Sequence, residues 1–378
     1  MTKRVRIAHI TSTHYPDDVR IYQKEARSLA RAGYDVTIVA PAFKDVTLEG
    51  VRWHRLPRPH NRLERFTRLM PAAYRAVQDI GAQVVHLHDP ELLFLGLMLK
   101  YKGLKVIWDV HEDLPLQILT KAWIPPIVRK PISSAAAMIA KVAGKFFDAI
   151  IVATPNIARS YPIDKVEIVR NYPILGEYIT IELDDYNKRP LHFVYVGGIS
   201  EDRGINEMVQ AIKLLTRDVE AKLLIAGKLY NPALSEKLKD REVDRYVNFL
   251  GWRSRREVHE ILANARAGLV LLHPLKRHLY GYPTKLFEYM AAGLPVIASD
   301  LPFIRSVIEE SGAGLLVDPL NVTEIVEAMK WIILNPKAAA DMGRRGREAV
   351  MEKYNWEFEK NRLINIYRKL CPNSKISS

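Results

Sequence analysis

The sequence predicts an α/β protein made of two Rossmann-like, doubly wound parallel-sheet domains in tandem, and three observations carry that expectation. The chain has 378 residues, enough for about two domains at ~150 residues each. Short apolar runs alternate with amphipathic helical patterns from end to end, the arrangement that encodes parallel sheets covered on both faces. The alternation stalls once, between 172 and 190, where Pro173, Gly176, Asp184, Asp185 and Pro190 cluster. A linker there divides the chain into domains 1–172 and 173–356, with a last helix over 357–378 expected to pack back on the first. In such folds ligands bind where loops leave the carboxyl ends of strands, so two facing domains are expected to form the site in the cleft between them.

Taken in order, 5–11 reads as the first strand, 21–32 as a helix closed by Gly33, and 36–40 as the second strand. Runs 84–88, 106–110 and 149–153 are further buried strands, with helical patterns between most of them. After the linker, 191–196 is a strand that leads into Gly197-Gly198 and a helix over 204–215. Runs 222–226, 247–250, 268–272, 296–299 and 314–317 complete the second series.

Composition removes several function classes. Hydrophobic residues make up 48% and charged residues 26%, the balance of a globular enzyme and not of a disordered tail. A single cysteine, Cys371, excludes an internal disulfide and any multi-cysteine zinc site. Lys3, Arg4 and Arg6 lead straight into the first strand, so no secretory leader is expected. The most apolar stretch, 132–154, is interrupted by Lys141, Lys145 and Asp148, so no spanning helix is expected. The expectation is a soluble protein of a reducing, cytoplasmic compartment.

A nicotinamide or flavin enzyme needs G-x-G-x-x-G after an early strand. The first strand is followed by Ser12-Thr13-His14-Tyr15-Pro16-Asp17, with no glycine, and the loop from Gly197 to Gly204 has the wrong spacing. That second loop still suits phosphate: Gly197 and Gly198 let backbone N–H groups approach, a helix follows, and Arg203 adds a forked donor. It reads equally as a tight turn with a solvated arginine. Further on, a helix begins near Thr284 and stops at Gly293, with Pro295 beyond and a buried strand after it. Lys285 and Glu288 share a face near its start. The carboxylate there is suited to a ribose and the ammonium to a diphosphate; without context the pair reads as an i,i+3 salt bridge.

The stretch from Tyr282 to Ser299 resembles the sugar-nucleotide site of glycosyltransferase family 4, retaining enzymes with the two-domain GT-B fold. Its branch carries P-x-K-x-x-E-Y-M-A-x-G-x-P-V-I-A-S. Further similarities are the 197–204 loop, Phe249-Leu250-Gly251, Gly314-Leu315-Leu316-Val317-Asp318-Pro319 and Asn355-Trp356, so the resemblance runs over nearly the whole chain. It implies a nucleotide-sugar donor, UDP- or GDP-linked, with Glu288 on the ribose and Arg203 and Lys285 on the diphosphate. Gly251 then lies near the base, and Gly197, Gly198 and Leu286 complete the donor set. Two positions depart from the family. Tyr280 stands where the first glutamate of an E-x7-E pair often lies, and Gly198 where many members have arginine. Both bear on the donor sugar's identity more than on the reaction class.

In the first half, three strand ends deliver histidines and carboxylates toward one expected rim: His14, Asp18 and Arg20; His88 and Asp89; His111 and Glu112. As metal ligands their spacing matches no recognised cage. His86 and His88 alternate along one strand, and His86 is expected to be the one that faces the core. The His-Asp-Pro-Glu-Leu and Asp-Val-His-Glu-Asp segments also resemble the same branch, and His111 matches the family histidine near the donor sugar and acceptor hydroxyl. The 12–20 loop matches a glycine-rich phosphate loop of relatives. Without glycine here, Arg20 is expected to take part of that role. The resemblance implies front-face transfer with retention, in which the leaving diphosphate takes the acceptor proton. Arg203 and Lys285 stabilise its charge, His111 orients hydroxyls, and no metal is required.

The net charge is +13. The segment opening on Arg52 and closing on Arg75 holds seven arginines against Glu64 alone, equal to the whole excess of residues 1–185. At helical spacing Leu63, Phe66, Met70 and Ala73 share one face, with Arg58, Arg62, Arg65 and Arg68 on another. This suits an anionic membrane surface or, equally, a solvated face on a core helix. No finger, helix-turn-helix or aromatic platform supports nucleic acid. The apolar stretch 116–147, with Trp123, adds a membrane contact or is a core helix. The resulting expectation is a glycosyltransferase acting on a lipid-linked or polysaccharide acceptor at the inner membrane face, as in lipopolysaccharide or glycolipid assembly. A sugar-nucleotide epimerase of the same fold and a non-catalytic sugar-nucleotide-binding protein are the alternatives.

Overall fold

The computed structural model describes residues 4–14, 18–41, 46–111, 113–120, 124–178, 186–229, 234, 243–279 and 281–372; the side chains of Val46, Arg62 and Thr120 are not described. Contacts divide the chain into two units, Met1–Asn171 with Glu357–Ser378, and Tyr172–Trp356.

The first unit holds an eight-stranded sheet in the order β3-β4-β2-β1-β5-β6-β7-β8. Its centre is β1 (Arg6–Ile10), β5 (Val84–Leu87) and β6 (Lys105–Val110), flanked by β2 (Asp35–Pro41), β7 (Ala149–Val152) and β8 (Val166–Ile168). All pairs are parallel except the β3–β4 hairpin, Val46–Leu48 with Val51–Leu56. The central strands are buried along their length, which is why they read as apolar runs and not as alternation. Polar residues punctuate them. His9 pairs with His86 in register, and His86 with Ile107. Because side chains repeat every second residue, His86, His88 and Asp109 join His9 on one face. The expectation that His86 alone of the two histidines faces the core is thus corrected: positions i and i+2 share a face, and both are buried.

Helix α1 (Arg27–Arg31) is entered through a wide i→i+5 stretch, Val19–Ala26, whose amides at Arg20 and Ile21 are capped by the Asp18 carboxylate. The segment 52–75 is not one amphipathic helix. Arg52 and Arg55 lie in β4, and helical structure begins at Arg62, widens over Arg65–Leu69, and continues as α2 (Met70–Ile80). The wide turn rotates the faces apart. Leu63 is 70% exposed and Phe66 is exposed, while Leu69, Met70 and Ala73 enter the core. Several of its arginines are paired: Arg52 with Asp35, Arg65 with Glu91, and Arg68 with Glu64. Helix α3 (Leu93–Tyr101) packs beside α4 (Pro126–Phe146).

The second unit is a wholly parallel six-stranded sheet, β11-β10-β9-β12-β13-β14. Its strands are His192–Val196 (β9), Lys222–Ala226 (β10), Val247–Gly251 (β11), Ala267–Val270 (β12), Val296–Ser299 (β13) and Gly314–Val317 (β14). Separate apolar clusters cover its two faces. Helix α5 (Ile205–Leu215) follows β9, α6 (Arg255–Ala263) follows β11, and α7 (Thr284–Ala291) precedes β13. Gly293, at φ +69°, ends α7 in the left-handed region. The last helix, α8 (Trp356–Leu370), belongs to the first unit, where the Tyr367 hydroxyl bonds His86 Nδ1 at 2.8 Å. Among the described residues no helix is long and apolar enough to cross a membrane.

Candidate active site

In the second unit the site grows from the end of β9. Gly197 has φ +138°, and a Cβ there would stand 3.3 Å from Lys285 Nζ, so the loop lies directly against that lysine. Gly204, at φ +75°, lets the loop pass the Leu271 carbonyl before α5 starts; a Cβ would meet that oxygen at 2.2 Å. The Lys285 ammonium donates to Tyr195 Oη at 3.2 Å and lies 4.6 Å from the centre of that ring. Tyr195 Oη donates to Gly198 O at 2.6 Å, and Arg203 Nη1 donates to the same carbonyl at 3.1 Å. Two cations therefore meet at one glycine loop. Burial, with the Arg203 charge beside it, pushes Lys285 down to about 7, although Glu288 and Asp202 act the other way. A buried ammonium held this way is short of negative charge.

A pocket of about 340 Å³ opens beside this loop, lined among others by Gly197, Gly198, Gly227, Lys228, Trp252 and Arg253. Trp252 leaves 63% of its surface exposed there. Glu288 lies one turn along α7 from Lys285, close enough for its charge to act on Tyr178, Arg255 and His259. Its carboxylate has no hydrogen bond or ion pair among the described residues, so the i,i+3 salt bridge with Lys285 does not form.

In the first unit, Asp89 accepts from Thr11 Oγ1 and the Ser12 amide at 2.7 Å each, and from Thr13 Oγ1 at 2.5 Å. His14 lies between carboxylates, 3.2 Å from Asp18 and 3.6 Å from Asp89. Burial works against charge on both His14 and Asp18, but their mutual attraction wins. His14 is raised, and Asp18 is held at about 2 with help from the Ile21 amide. His111 Nε2 stands 2.9 Å from Asp109 Oδ2 and 3.2 Å from His88 Nδ1. The carboxylate only accepts, so the neutral ring carries its proton on Nε2, and Nδ1 has no hydrogen-bond partner among the described residues. His88 in turn meets His9 Nδ1 at 2.9 Å. Burial takes His88 down to about 4 despite Asp109.

Residues 20–171 match the family described as Glycosyltransferase Family 4, and residues 184–349 match Glycosyl transferases group 1. The chain is a glycosyltransferase. A phosphatidyl-myo-inositol mannosyltransferase of Mycolicibacterium smegmatis is 26% identical over 362 residues, 90% of this chain and 87% of that one. An alpha-maltose-1-phosphate synthase of the same organism is 27% identical over 261 residues, 62% of this chain and 66% of that one. This chain thus spans slightly under two thirds of the synthase. Among solved structures, Anabaena HepE in complex with UDP and glucose has a TM-score of 0.74 at 11% identity, covering 97% of this chain and 100% of its own. That likeness is one of fold, the GT-B architecture.

Within this glycosyltransferase the structure brings Gly197, Gly198, Arg203 and Lys285 together, with Glu288 on the same helix as the lysine. Gly251 ends β11 next to Trp252 and accepts from the Gly227 amide at 2.8 Å. Leu286 does not present a group to a ligand: its side chain is in the core and its amide bonds the Pro283 carbonyl. The role expected for Arg20 is also corrected. It is buried, with Nε and Nη2 on Asp109 at 2.7 Å each and Nη1 on the Val169 carbonyl at 3.1 Å, so its fork is committed inward. His14, Asp18, His88, Asp89 and His111 do gather at the ends of β1, β5 and β6. Glu112, Tyr280 and Trp123 lie outside the described residues.

Three residues escaped the sequence reading. Asp109 orients His111, and its signal was a carboxylate inside an apolar strand, which demands a cation. Tyr195 seats Lys285 and looked like an ordinary buried aromatic. Trp252 directly follows the Gly251 segment, and nothing in the spacing showed it exposed at a pocket. Two groups of side chains bring possible metal-ligand atoms within 4.8 Å of one another, His9, Glu25, His86 and His88, and His88, Asp109 and His111. Hydrogen bonds of His86 to Tyr367, His9 to His88 and His88 to His111 already account for much of this geometry.

Proposed function

We propose that this glycosyltransferase moves a sugar, with retention, from a UDP- or GDP-linked donor to the hydroxyl of a lipid-linked or polysaccharide acceptor at an inner membrane face. The observation that carries the donor assignment is the buried Lys285 beside Arg203 under the Gly197–Gly198 loop. These cations take the diphosphate, whose charge grows as the glycosidic bond breaks, and α5 points its amino end at the same loop. Glu288, with no partner among the described residues, accepts from the ribose hydroxyls. Trp252 offers a face for the base, in keeping with the expectation for the Gly251 segment. In the first unit, His111 uses its Nδ1 to orient a hydroxyl of donor or acceptor while Asp109 holds the ring. On the front-face route the diphosphate accepts the acceptor proton, so the residues supply position and charge. The lipid acceptor is supported by the printed name of the phosphatidyl-myo-inositol mannosyltransferase relative, and lysine and arginine take the metal's usual place, so transfer is expected to persist in EDTA.

A panel of UDP- and GDP-sugars tests this reading. One donor should raise the melting temperature and be hydrolysed slowly without acceptor, and the product anomer read by NMR should match the donor. If no nucleotide sugar either stabilises the protein or turns over, the donor assignment fails; isomerisation of the sugar would identify an epimerase.

The pH dependence of donor binding is a second expectation. Lys285 titrates at about 7 without ligand, and an anion favours its charged form. Nucleoside diphosphate should therefore bind best below that pH. Its Kd should rise up to about tenfold per pH unit above it, until the higher pKa of the bound state is reached. Calorimetry in buffers of different ionisation enthalpy should show proton uptake on binding at pH 8. A flat Kd between pH 6 and 9 with no uptake would remove Lys285 from the diphosphate site.

A further inference from the structure

Helix α4 is turned inside out. At about 100° per residue, Ser133, Ala140, Ala143 and Gly144 form its buried side, all of them small. The large apolar residues point the other way: Ile127 is 86%, Met138 66% and Phe146 59% exposed, with Ile132, Ile139 and Val142 on the same arc. An ordinary surface helix places such side chains inward. Lys130, Lys141 and Lys145 follow one margin of this arc, Arg129 stands near its start, and the 21-residue helix contains no acidic residue. On neighbouring α3, Phe94, Met98 and Tyr101 are also exposed, at the i, i+4, i+7 spacing of one stripe.

We propose that α4 is the surface by which this enzyme lies on an anionic lipid bilayer, its apolar arc in the acyl boundary and its lysine margin on the headgroups. Three features select that occupant. Apolar arc and lysine margin run side by side along a helix about 30 Å long, the form of an interfacial helix lying in the membrane plane. The charge is of one sign only, complementary to anionic lipid. A second copy docked on the same face would set two positively charged helices against each other with no acidic residue on either to pair them, which opposes a dimer there. The assignment moves the membrane contact away from segment 52–75, whose arginines at 52, 65 and 68 are already paired with acids. It deepens the lipid-acceptor reading and rests on it for its purpose, but its test reads binding apart from transfer.

The test is flotation of the full chain with phosphatidylcholine vesicles, with and without about 30 mol% phosphatidylglycerol. Wild type should float with the anionic vesicles and little with the neutral ones. The variant Met138→Ser/Ile139→Ser/Val142→Ser changes solvent-facing positions only. It should lose at least about tenfold in vesicle affinity while keeping its circular dichroism, its nucleoside diphosphate Kd and its donor hydrolysis rate. Lys130→Gln/Lys141→Gln/Lys145→Gln should lose most of the preference for anionic vesicles. Unchanged flotation of the triple serine variant overturns the proposal. So does loss of flotation in Leu63→Ser/Phe66→Ser instead, or a dimer in sedimentation that only the α4 variant dissociates. Vesicle binding that needs α4 in an enzyme that transfers only to soluble acceptors supports the docking face and overturns the lipid-acceptor reading.

Discussion

Lys285→Ala should lower kcat/KM for the sugar donor by about 10²–10³-fold, the usual cost of removing a preorganised group from developing charge. The ammonium is buried beneath Gly197 and fixed by the Tyr195 hydroxyl and ring, so neither water nor a neighbour replaces it at that point. Arg203 remains, but its Nη1 is engaged by the Gly198 carbonyl. Arginine at 285 should not rescue, because a planar fork needs more room than the loop leaves. The loss should come without loss of stability. The folded pKa of Lys285, about 7, lies below its ordinary value, so the fold bears the cost of this charge in full below pH 7 and progressively less as pH rises toward the unfolded pKa. Lys285→Met should therefore unfold no more easily than wild type, with its relative advantage greatest at pH 6. Steady-state kinetics with the proven donor and urea titrations at pH 6 and 9 read both effects. Activity within threefold of wild type in Lys285→Ala would withdraw the residue from the site. Glu288→Gln should behave differently, raising donor KM more than it lowers kcat, since a ribose contact is alike in ground and transition states.

Arg20→Ala should destabilise the first unit by about 3–5 kcal/mol, because it strands buried carboxylates without their cation. Asp109 is fully buried and meets the guanidinium through both oxygens at 2.7 Å, and Glu25, also buried, lies 3.2 Å from Nε. Arg20 holds Asp109 well below the usual carboxylate range against the effect of burial, whereas burial and the Asp109 charge raise Glu25. The two carboxylates share one guanidinium. Lysine at 20 should not rescue the fork, while Arg20→Met/Asp109→Leu should cost less than the sum of its parts. Activity should report the same pair: Asp109→Asn leaves the fold closer to wild type but frees the His111 tautomer, lowering kcat with little change in donor Kd. Denaturation curves with a double-mutant cycle check the first claim, and kcat against Kd the second. Additive single and double effects would show that the pair is not a unit.

Much of the architecture was legible along the chain. Buried parallel strands require continuous apolar runs and their crossovers require amphipathic helices, so both series of elements could be read from periodicity. The β3–β4 hairpin and β8 were missed: β3 and β8 have three residues each, too few to show a period, and β4 is broken by Arg52, His54 and Arg55. The clustering of the Gly197–Gly204 loop with Lys285 was legible for a related reason. Glycine at a close approach, lysine and glutamate one helical turn apart, and a glycine stop are local requirements, and residues 197–204 and 282–299 carry them in sequence.

What failed concerned faces and partners. Arg20 looked free because its partner Asp109 lies 89 residues away, and no local rule joins an arginine in the first helical turn to a carboxylate in the third central strand. The 52–75 segment looked like one amphipathic helix because a wide turn leaves no mark in composition, yet it is enough to send Leu63 outward and Leu69 inward. Helix α4 was recognised only as apolar, with core and membrane left equal. Its sequence supplies small and large apolar residues on opposite sides, but which side meets the domain depends on the strands and helices it packs against. Local chemistry therefore established two Rossmann-like halves and a glycine loop beside Lys285, where the proposed donor's diphosphate would lie. Folding, by bringing distant groups into a dry interior and leaving others in water, decided that Arg20 is structural, that Asp109 holds His111, and that the large side chains of α4 face outward.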